Sequence, residues 1–261
     1  MDLSQAKHAF ITGGASGLGL GIADALARRG VAVTIADINE DSLKEVLATR
    51  GNQFRGVRLD TRDRENWQKA KAEAEAAFGP VDILVNNAGI SPNGREFADM
   101  DPESFDRILA INLVGIVNGI FAFGADMRER GNGHIVNTSS QAGLTAGIPG
   151  VGAYSVAKFG VTSLSEGLRV EMEPHGVGVS VLCPGYVQTN LGANTVKIGG
   201  DIRQYTAAMP ESDVTPADVG EMVAEGIEQN AAYILTHKDV WPGVEKRMNA
   251  IKAACDYRRN A

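Results

Sequence analysis

Short apolar runs alternate along the chain with longer segments in which apolar residues recur every three or four positions. The short runs are almost continuously apolar, which is typical of strands that are covered on both faces of a parallel sheet. Strands are predicted at His8–Thr12, Ala32–Asp37, Phe54–Leu59, Val81–Asn86, His134–Thr138, Gly178–Leu182 and Tyr233–Thr236. Helices are predicted at Leu18–Arg29, Arg64–Phe78, Pro102–Arg130, Ala153–Glu173 and Pro216–Gln229.

This alternation predicts an α/β fold, a single-domain Rossmann-type doubly wound parallel sheet of about seven strands with helices on both faces. No linker or repeat divides residues 1–261, so a single domain is expected. Residues 188–216 interrupt the alternation and are rich in glycine, which favours a substrate-binding loop. Residues 240–261 are predicted to form a helix-like C-terminal tail.

The composition narrows the classes of protein to consider. Hydrophobic residues make up 44% and charged residues 22% of the chain, values that are ordinary for a globular protein. A formal net charge of −7 argues against a nucleic-acid partner. We read no apolar stretch of about 20 residues and no leader at Met1–Lys7, so no membrane contact is expected. Cys183 and Cys255 lack metal-ligand spacing, so we expect no metal and a reduced, cytoplasmic protein.

A glycine-rich segment, Thr12–Gly19, joins the first predicted strand to the first predicted helix. Glycines permit a tight turn there and let a pyrophosphate approach the helix N-terminus. Asp37 ends the second predicted strand, where a carboxylate binds adenosine ribose hydroxyls and repels a 2′-phosphate. Because no basic residue follows Asp37 before Lys44, we predict NAD (NADH) and not NADP as the cofactor. The alternative is that Asp37 caps the helix that begins near Glu40.

Polar residues also stand where other predicted elements begin or end. Asn86–Gly89 and Ser140 each follow a strand, and Asn112 interrupts an apolar helical stripe. Tyr154 and Lys158 are four residues apart, so they share one face of a helix. A nearby ammonium lowers a tyrosine pKa from its ordinary value of about 10, which suits proton transfer near neutral pH. Taken singly, these residues could have purely structural roles: Ser140 in a turn or cap, Asn112 as a polar residue within a helix, and Tyr154 with Lys158 as a structural pair.

Together these residues resemble the short-chain dehydrogenase/reductase family, in its form of about 250 residues. The resemblance extends from about Lys7 to Ile234 and rests on six features. The matching residues are Thr12, Gly13, Gly17 and Gly19 of the glycine motif, Asn86-Asn87-Ala88-Gly89, Asn112, Ser140, Tyr154-Ser155-Val156-Ala157-Lys158, and Pro184-Gly185 with Thr189.

The resemblance implies a catalytic set in which Tyr154 is the general acid or base and Ser140 hydrogen-bonds the substrate oxygen. Lys158 would bind the nicotinamide ribose and lower the pKa of Tyr154, and Asn112 would hold a water that completes a proton relay. The implied cofactor contacts are Gly13, Ser16, Gly17, Leu18, Gly19, Asp37, Asp60, Thr61, Asn87, Ala88, Gly89, Tyr154, Lys158, Pro184, Gly185, Val187 and Thr189.

Two of these assignments have an alternative. Asp60 matches a residue that contacts adenine, but an acid at this point would equally cap the following helix. Ser139 is the alternative substrate contact, because the segment from Ser140 to Tyr154 is one residue longer than in many members; the frame of residues 137–140 favours Ser140.

The resemblance implies an NAD-dependent oxidoreductase that interconverts a secondary alcohol and a ketone on a small-molecule substrate. Ser140, Gln141, Tyr154 and Tyr186 are expected at the substrate, which we expect to be medium-sized and partly apolar, such as an aryl or cyclic alcohol. The tail resembles those of bacterial members that oxidise bulky aryl alcohols. Further residues expected near the substrate are Ile198, Tyr205, Met209 and Asn194.

The family's usual dimer surface falls on the helices at Pro102–Arg130 and Ala153–Glu173, so we expect a homodimer or homotetramer. Two other functions remain open. One is an epimerase or dehydratase of the same fold, and the other is a regulatory protein that retains only the nucleotide site.

Overall fold

A computed structural model describes residues 1–197, 199, 200, 202 and 212–259, except for the side chains of residues 258 and 259. Seven strands form one sheet in the order β3-β2-β1-β4-β5-β6-β7, and every neighbouring pair is parallel. The strands are β1 (His8–Thr12), β2 (Ala32–Asp37), β3 (Phe54–Arg58), β4 (Ile83–Asn86), β5 (Gly133–Thr138), β6 (Val177–Cys183) and β7 (Tyr233–Leu235). The predicted fold class is confirmed.

Helices cover both faces of the sheet because alternate strand residues point to opposite sides. Ile11 of β1 belongs to the apolar layer under the first and eighth helices, while its neighbour Phe10 packs with Trp67 and Phe123 in the opposite layer. The helices are α1 (Gly17–Arg28), α2 (Glu40–Leu47), α3 (Arg64–Phe78), α4 (Pro102–Leu109), α5 (Gly115–Arg130), α6 (Gly152–Met172), α7 (Leu191–Lys197), α8 (Pro216–Glu228) and α9 (Trp241–Arg259).

The helix predicted over Pro102–Arg130 is not α-helical throughout. Between α4 and α5 the chain adopts π geometry at Ala110–Val114, and π-bulges are frequently found at functional sites. The expectation that no segment reaches membrane-spanning length was wrong, because these 29 residues are long and apolar enough by length and composition. Since 56% of the most apolar window is buried inside the protein, its apolarity is that of a core helix.

The loop predicted over residues 188–216 contains α7, which the sequence pattern does not indicate. Ile198, Tyr205 and Met209, which we expected near the substrate, lie outside the described residues. The C-terminal tail forms α9 as predicted.

Sheet order places the functional loops together. In the sheet, β2 lies on one side of β1 and β4 on the other. The chain segments that follow β1 and β4 therefore run in opposite directions across the sheet. In open α/β sheets ligands bind in the crevice at such a switch point, outside the carboxyl ends of the strands.

Candidate active site

A cleft of about 700 Å³ opens at this edge of the sheet. Of the predicted site residues, all but Gly19 and Asn112 line it. Lining residues that the sequence reasoning did not single out are Ile38, Arg62, Thr138 and Asn190, among others.

The glycine loop is shaped by close main-chain contacts. Gly13 has a φ of +63°, and a Cβ there would lie 3.0 Å from Cα of Ala88. A Cβ on Gly19 would overlap the carbonyl oxygen of Gly13, so Gly19 lies beneath the loop and permits the turn without lining the cleft. Ser16 begins α1 without a side-chain cap. The first-turn N–H groups of α1 are therefore left to an anionic ligand.

Thr12 ties the glycine loop to the loop after β4. Its Oγ1 accepts the main-chain N–H groups of Asn87 and Ala88 at 2.9 and 3.0 Å. The Asn87 side chain donates back to the carbonyl oxygen of Thr12 at 3.0 Å. Two walls of the cleft are thus fixed relative to each other.

Asp37 lies half-buried in the cleft, where β2 ends. Its carboxylate accepts N–H groups from Ala15 at 3.3 Å and Asn39 at 3.0 Å. Asn39, and not Asp37, caps α2 by accepting the N–H of Ser42, so the alternative assignment of Asp37 as a helix cap was wrong. Burial raises the pKa of Asp37 above its ordinary value.

The alternative role of Asp60, as the N-cap of α3, was also wrong, because a neighbouring acid is the cap. Asp63 caps α3 by accepting two first-turn N–H groups. Asp60 instead accepts hydrogen bonds from the main chain and guanidinium of Arg62, which hold the pKa of Asp60 below its ordinary value. The two side chains form the cleft wall next to Thr61.

Ser140 and Tyr154 line the same cleft, and the Ser140 hydroxyl lies close enough to Tyr154 to lower the pKa of its phenol. Ser140 follows β5 and is oriented by the N–H of Ala142, which donates to its Oγ at 3.1 Å. Ser139 is buried and its hydroxyl donates to the carbonyl oxygen of Lys158 in α6 at 2.8 Å. The geometry therefore favours Ser140 over Ser139 as the group facing a substrate.

Lys158 is buried on the turn of α6 that follows Tyr154. Its Nζ donates to the carbonyl oxygen of Thr138 at 2.8 Å and lies 5.4 Å from the centre of the Tyr154 ring. Burial lowers the pKa of Lys158 to about 8 and raises the pKa of Tyr154 to about 12, against the smaller opposite effect of Ser140. The expected net lowering of the Tyr154 pKa is not found, because desolvation of the phenolate outweighs the opposite effect of the Ser140 hydroxyl.

Asn112 lies in the π segment, behind the cleft wall. Its Oδ1 accepts the N–H of Ile90 at 2.7 Å, and its Nδ2 donates to the carbonyl oxygen of the same residue at 3.0 Å. A Cβ on Gly89 would lie 2.9 Å from this Oδ1. The Asn112 amide thus fixes the loop after β4, and its expected contact with a water stays a prediction.

The loop after β6 forms the wall opposite the glycine loop. It carries Pro184, Gly185, Val187 and Thr189, all of which line the cleft. A Cβ on Gly17 would lie 3.3 Å from Cβ of Thr189, so the two walls approach closely.

The cleft fits a nicotinamide dinucleotide. The uncapped start of α1 suits a pyrophosphate, the Asp37 carboxylate suits a ribose diol, and the Tyr154 and Lys158 side chains stand at the far end. All three features line one cleft, as the binding of such a cofactor requires.

The comparisons with known proteins agree with this geometry. The family model for short chain dehydrogenases matches residues 7–197. The probable oxidoreductase EphD of Mycobacterium tuberculosis is 42% identical over 189 residues, which are 71% of this chain and 32% of that protein. This chain therefore spans about a third of the length of its mycobacterial relatives.

Two other similarities cover nearly the entire chain. The C alpha-dehydrogenase of a Sphingobium species is 34% identical over 263 residues, which are 95% of this chain and 86% of that protein. A short chain dehydrogenase/reductase from Burkholderia phymatum, solved in complex with NAD, superposes with a TM-score of 0.88 at 29% identity and 97% coverage of both chains. The chain belongs to the short-chain dehydrogenase/reductase family.

Proposed function

We propose that this protein interconverts a secondary alcohol and a ketone with NAD(H) as the cofactor. The observation that carries the proposal is that Ser140, Tyr154 and the buried Lys158 line one cleft that begins at the glycine loop, with Nζ of Lys158 beside the Tyr154 ring. A hydroxyl that orients the reacting oxygen and a phenol that exchanges its proton are what carbonyl reduction requires.

Each of these side chains has a separate task. The bound nicotinamide supplies or accepts the hydride. Because the pKa of Tyr154 is about 12, its hydroxyl is protonated at neutral pH and can donate to a developing alkoxide. Ser140 donates to the same oxygen. Lys158, with a pKa of about 8, exchanges protons near neutral pH and stabilises the phenolate that is left.

NAD is proposed over NADP because Asp37 faces the adenosine end of the cleft. A carboxylate there accepts ribose hydroxyls but repels a 2′-phosphate. The similar Burkholderia structure is solved with NAD. Equal or greater activity with NADP in an NADH or NADPH absorbance assay would contradict this assignment.

The substrate is proposed to be a medium-sized, partly apolar alcohol, such as an aryl or cyclic alcohol. The lining residues at the substrate end combine apolar groups with a few polar ones. They are Ile90, Gln141, Ile148, Val151, Tyr186 and Leu191.

A homodimer or homotetramer is proposed from the exposed faces of α5 and α6. Phe121 is 64%, Val156 46% and Val170 73% exposed, which is unusual for apolar residues on core helices. A light-scattering mass of one chain would contradict this assembly.

The free cysteines Cys183 and Cys255 support a reduced, cytoplasmic location as a further proposal.

The decisive experiment measures NADH formation over a panel of secondary alcohols for the wild type and for Tyr154→Phe. The variant should lose turnover because it lacks the proton donor, while NADH binding measured by fluorescence stays nearly intact. Retained turnover in Tyr154→Phe would refute the mechanism.

A further inference from the structure

Residues 236–239 follow β7 and lie against the outer wall of the cleft; we call them the C-terminal brace. The main-chain N–H of Gly185 donates to Oγ1 of Thr236 at 3.1 Å. Nε2 of Gln141 donates to Oδ1 of Asp239 at 3.0 Å. The brace therefore holds one residue of the proposed nicotinamide wall and one residue of the proposed substrate wall.

The contact with Asp239 decides which way the Gln141 amide points. An ionised carboxylate only accepts hydrogen bonds, so the amide must turn its NH₂ group toward Asp239. The Gln141 main chain is fixed as well, because its N–H donates to the carbonyl oxygen of Pro184 at 3.0 Å and its carbonyl accepts the N–H of Thr145 at 3.0 Å. A Cβ on Gly185 would lie 3.0 Å from Nε2 of Gln141, so the space around the amide is narrow.

The opposite end of this amide, Oε1, is a hydrogen-bond acceptor. Gln141 lines the cleft, and no residue in the described part of the chain donates to its Oε1. Gln141 follows Ser140, the residue that faces the reacting oxygen in the proposed mechanism. An acceptor of fixed orientation thus stands one residue away from the group that binds the reacting centre.

We propose that Asp239 is a positioning residue for Gln141, and that the pair selects alcohols with a second hydroxyl group close to the reacting carbon. This rests on the proposed alcohol–ketone chemistry at Ser140 and Tyr154. The second hydroxyl donates to Oε1 of Gln141, which Asp239 keeps from rotating. A substrate without that hydroxyl leaves Oε1 without its ligand partner and is bound less well.

The test compares an aryl-substituted vicinal diol with the same alcohol lacking the second hydroxyl. In the wild type kcat/KM should be about tenfold higher for the diol, the value of one hydrogen bond in a partly open site. Asp239→Ala and Gln141→Leu should each reduce this ratio to below about threefold, mainly through KM for the diol. Asp239→Asn should give an intermediate ratio, since an amide can face Gln141 in either orientation.

The matched control is Glu245→Ala, which removes an exposed acid from α9 and should leave the ratio unchanged. A wild-type ratio near one, or a full ratio in both Asp239→Ala and Gln141→Leu, would overturn the positioning role. If the wild type oxidises no alcohol of a broad panel with NAD or NADP, the proposed function itself fails. Turnover without discrimination overturns only the role of the Asp239–Gln141 pair.

Discussion

Replacing Lys158 by methionine should stabilise the fold while removing activity. The pKa of this lysine falls from 10.5 to about 8 because its ammonium is buried. At about 1.4 kcal/mol per pKa unit, that lowering corresponds to about 3 kcal/mol of unfavourable free energy in the folded state at pH 7. Methionine has a similar length and no charge. It loses the bond to the carbonyl oxygen of Thr138, which contributes about 1 kcal/mol, and the more distant contact of the ammonium with the Tyr154 ring. We therefore expect Lys158→Met to gain about 2 kcal/mol in free energy of unfolding at pH 7.

The pH dependence gives this prediction its sign. A folded-state pKa below the unfolded value makes this contribution to wild-type stability rise with pH between about 8 and 10.5, whereas below about pH 8 it no longer depends on pH because Lys158 is protonated in both states. Between pH 7 and pH 9.5 the wild type should gain about 2 kcal/mol relative to Lys158→Met, so the advantage of the variant should nearly vanish. Other groups titrate equally in both proteins and cancel in the difference.

Urea unfolding at the two pH values, followed by tryptophan fluorescence, measures this difference. Lys7→Met, which changes an exposed lysine, should show the same difference from the wild type at both pH values. Turnover of Lys158→Met should fall at least about 100-fold, the usual contribution of a group in proton transfer. A variant that is less stable than the wild type at pH 7, or a gap that does not narrow at pH 9.5, would refute the reasoning.

Two further predictions concern the cofactor cleft. Thr12→Val should cost about 2 kcal/mol in urea unfolding and weaken NADH binding in a fluorescence titration, because two N–H groups lose their acceptor; unchanged stability and binding would contradict it. Gly19→Ala should weaken NADH binding at least about tenfold by calorimetry, since its Cβ overlaps a loop carbonyl. Its control, Gly167→Ala, has open space around the new methyl group and should bind NADH normally; equal affinities of the two variants would argue against this role of Gly19.

The sheet and most of the cleft could be predicted because both follow from short-range patterns. Continuous apolar runs identified the buried strands, and two of them, His8–Thr12 and Ala32–Asp37, agree residue for residue. Parallel strands bring their carboxyl ends to one edge of the sheet, so residues that follow different strands meet there. That is why Asp37 and Ser140, distant in sequence, line the same cleft.

The remaining features depend on contacts that a sequence pattern does not specify. An apolar stripe is compatible with both α and π geometry, so the change at Ala110–Val114 carried no sequence signal. Each of α2 and α3 is preceded by two residues that could cap it, Asp37 or Asn39 for α2 and Asp60 or Asp63 for α3. Tertiary contacts decide that Asn39 and Asp63 are the caps. The sign of the Tyr154 pKa shift depends on the depth of burial, which a spacing of four residues does not give.

The C-terminal brace lies outside the part of the chain that identifies the family, yet in our proposal it contributes to substrate preference. The family match covers residues 7–197, whereas Asp239 lies beyond them. Relatives that share every motif of the cofactor cleft can therefore differ in the alcohol they accept through changes near the C-terminus alone. For protein engineering, Asp239 is therefore a position at which substrate choice can be varied, provided that Thr236, which holds the main chain of Gly185, is kept.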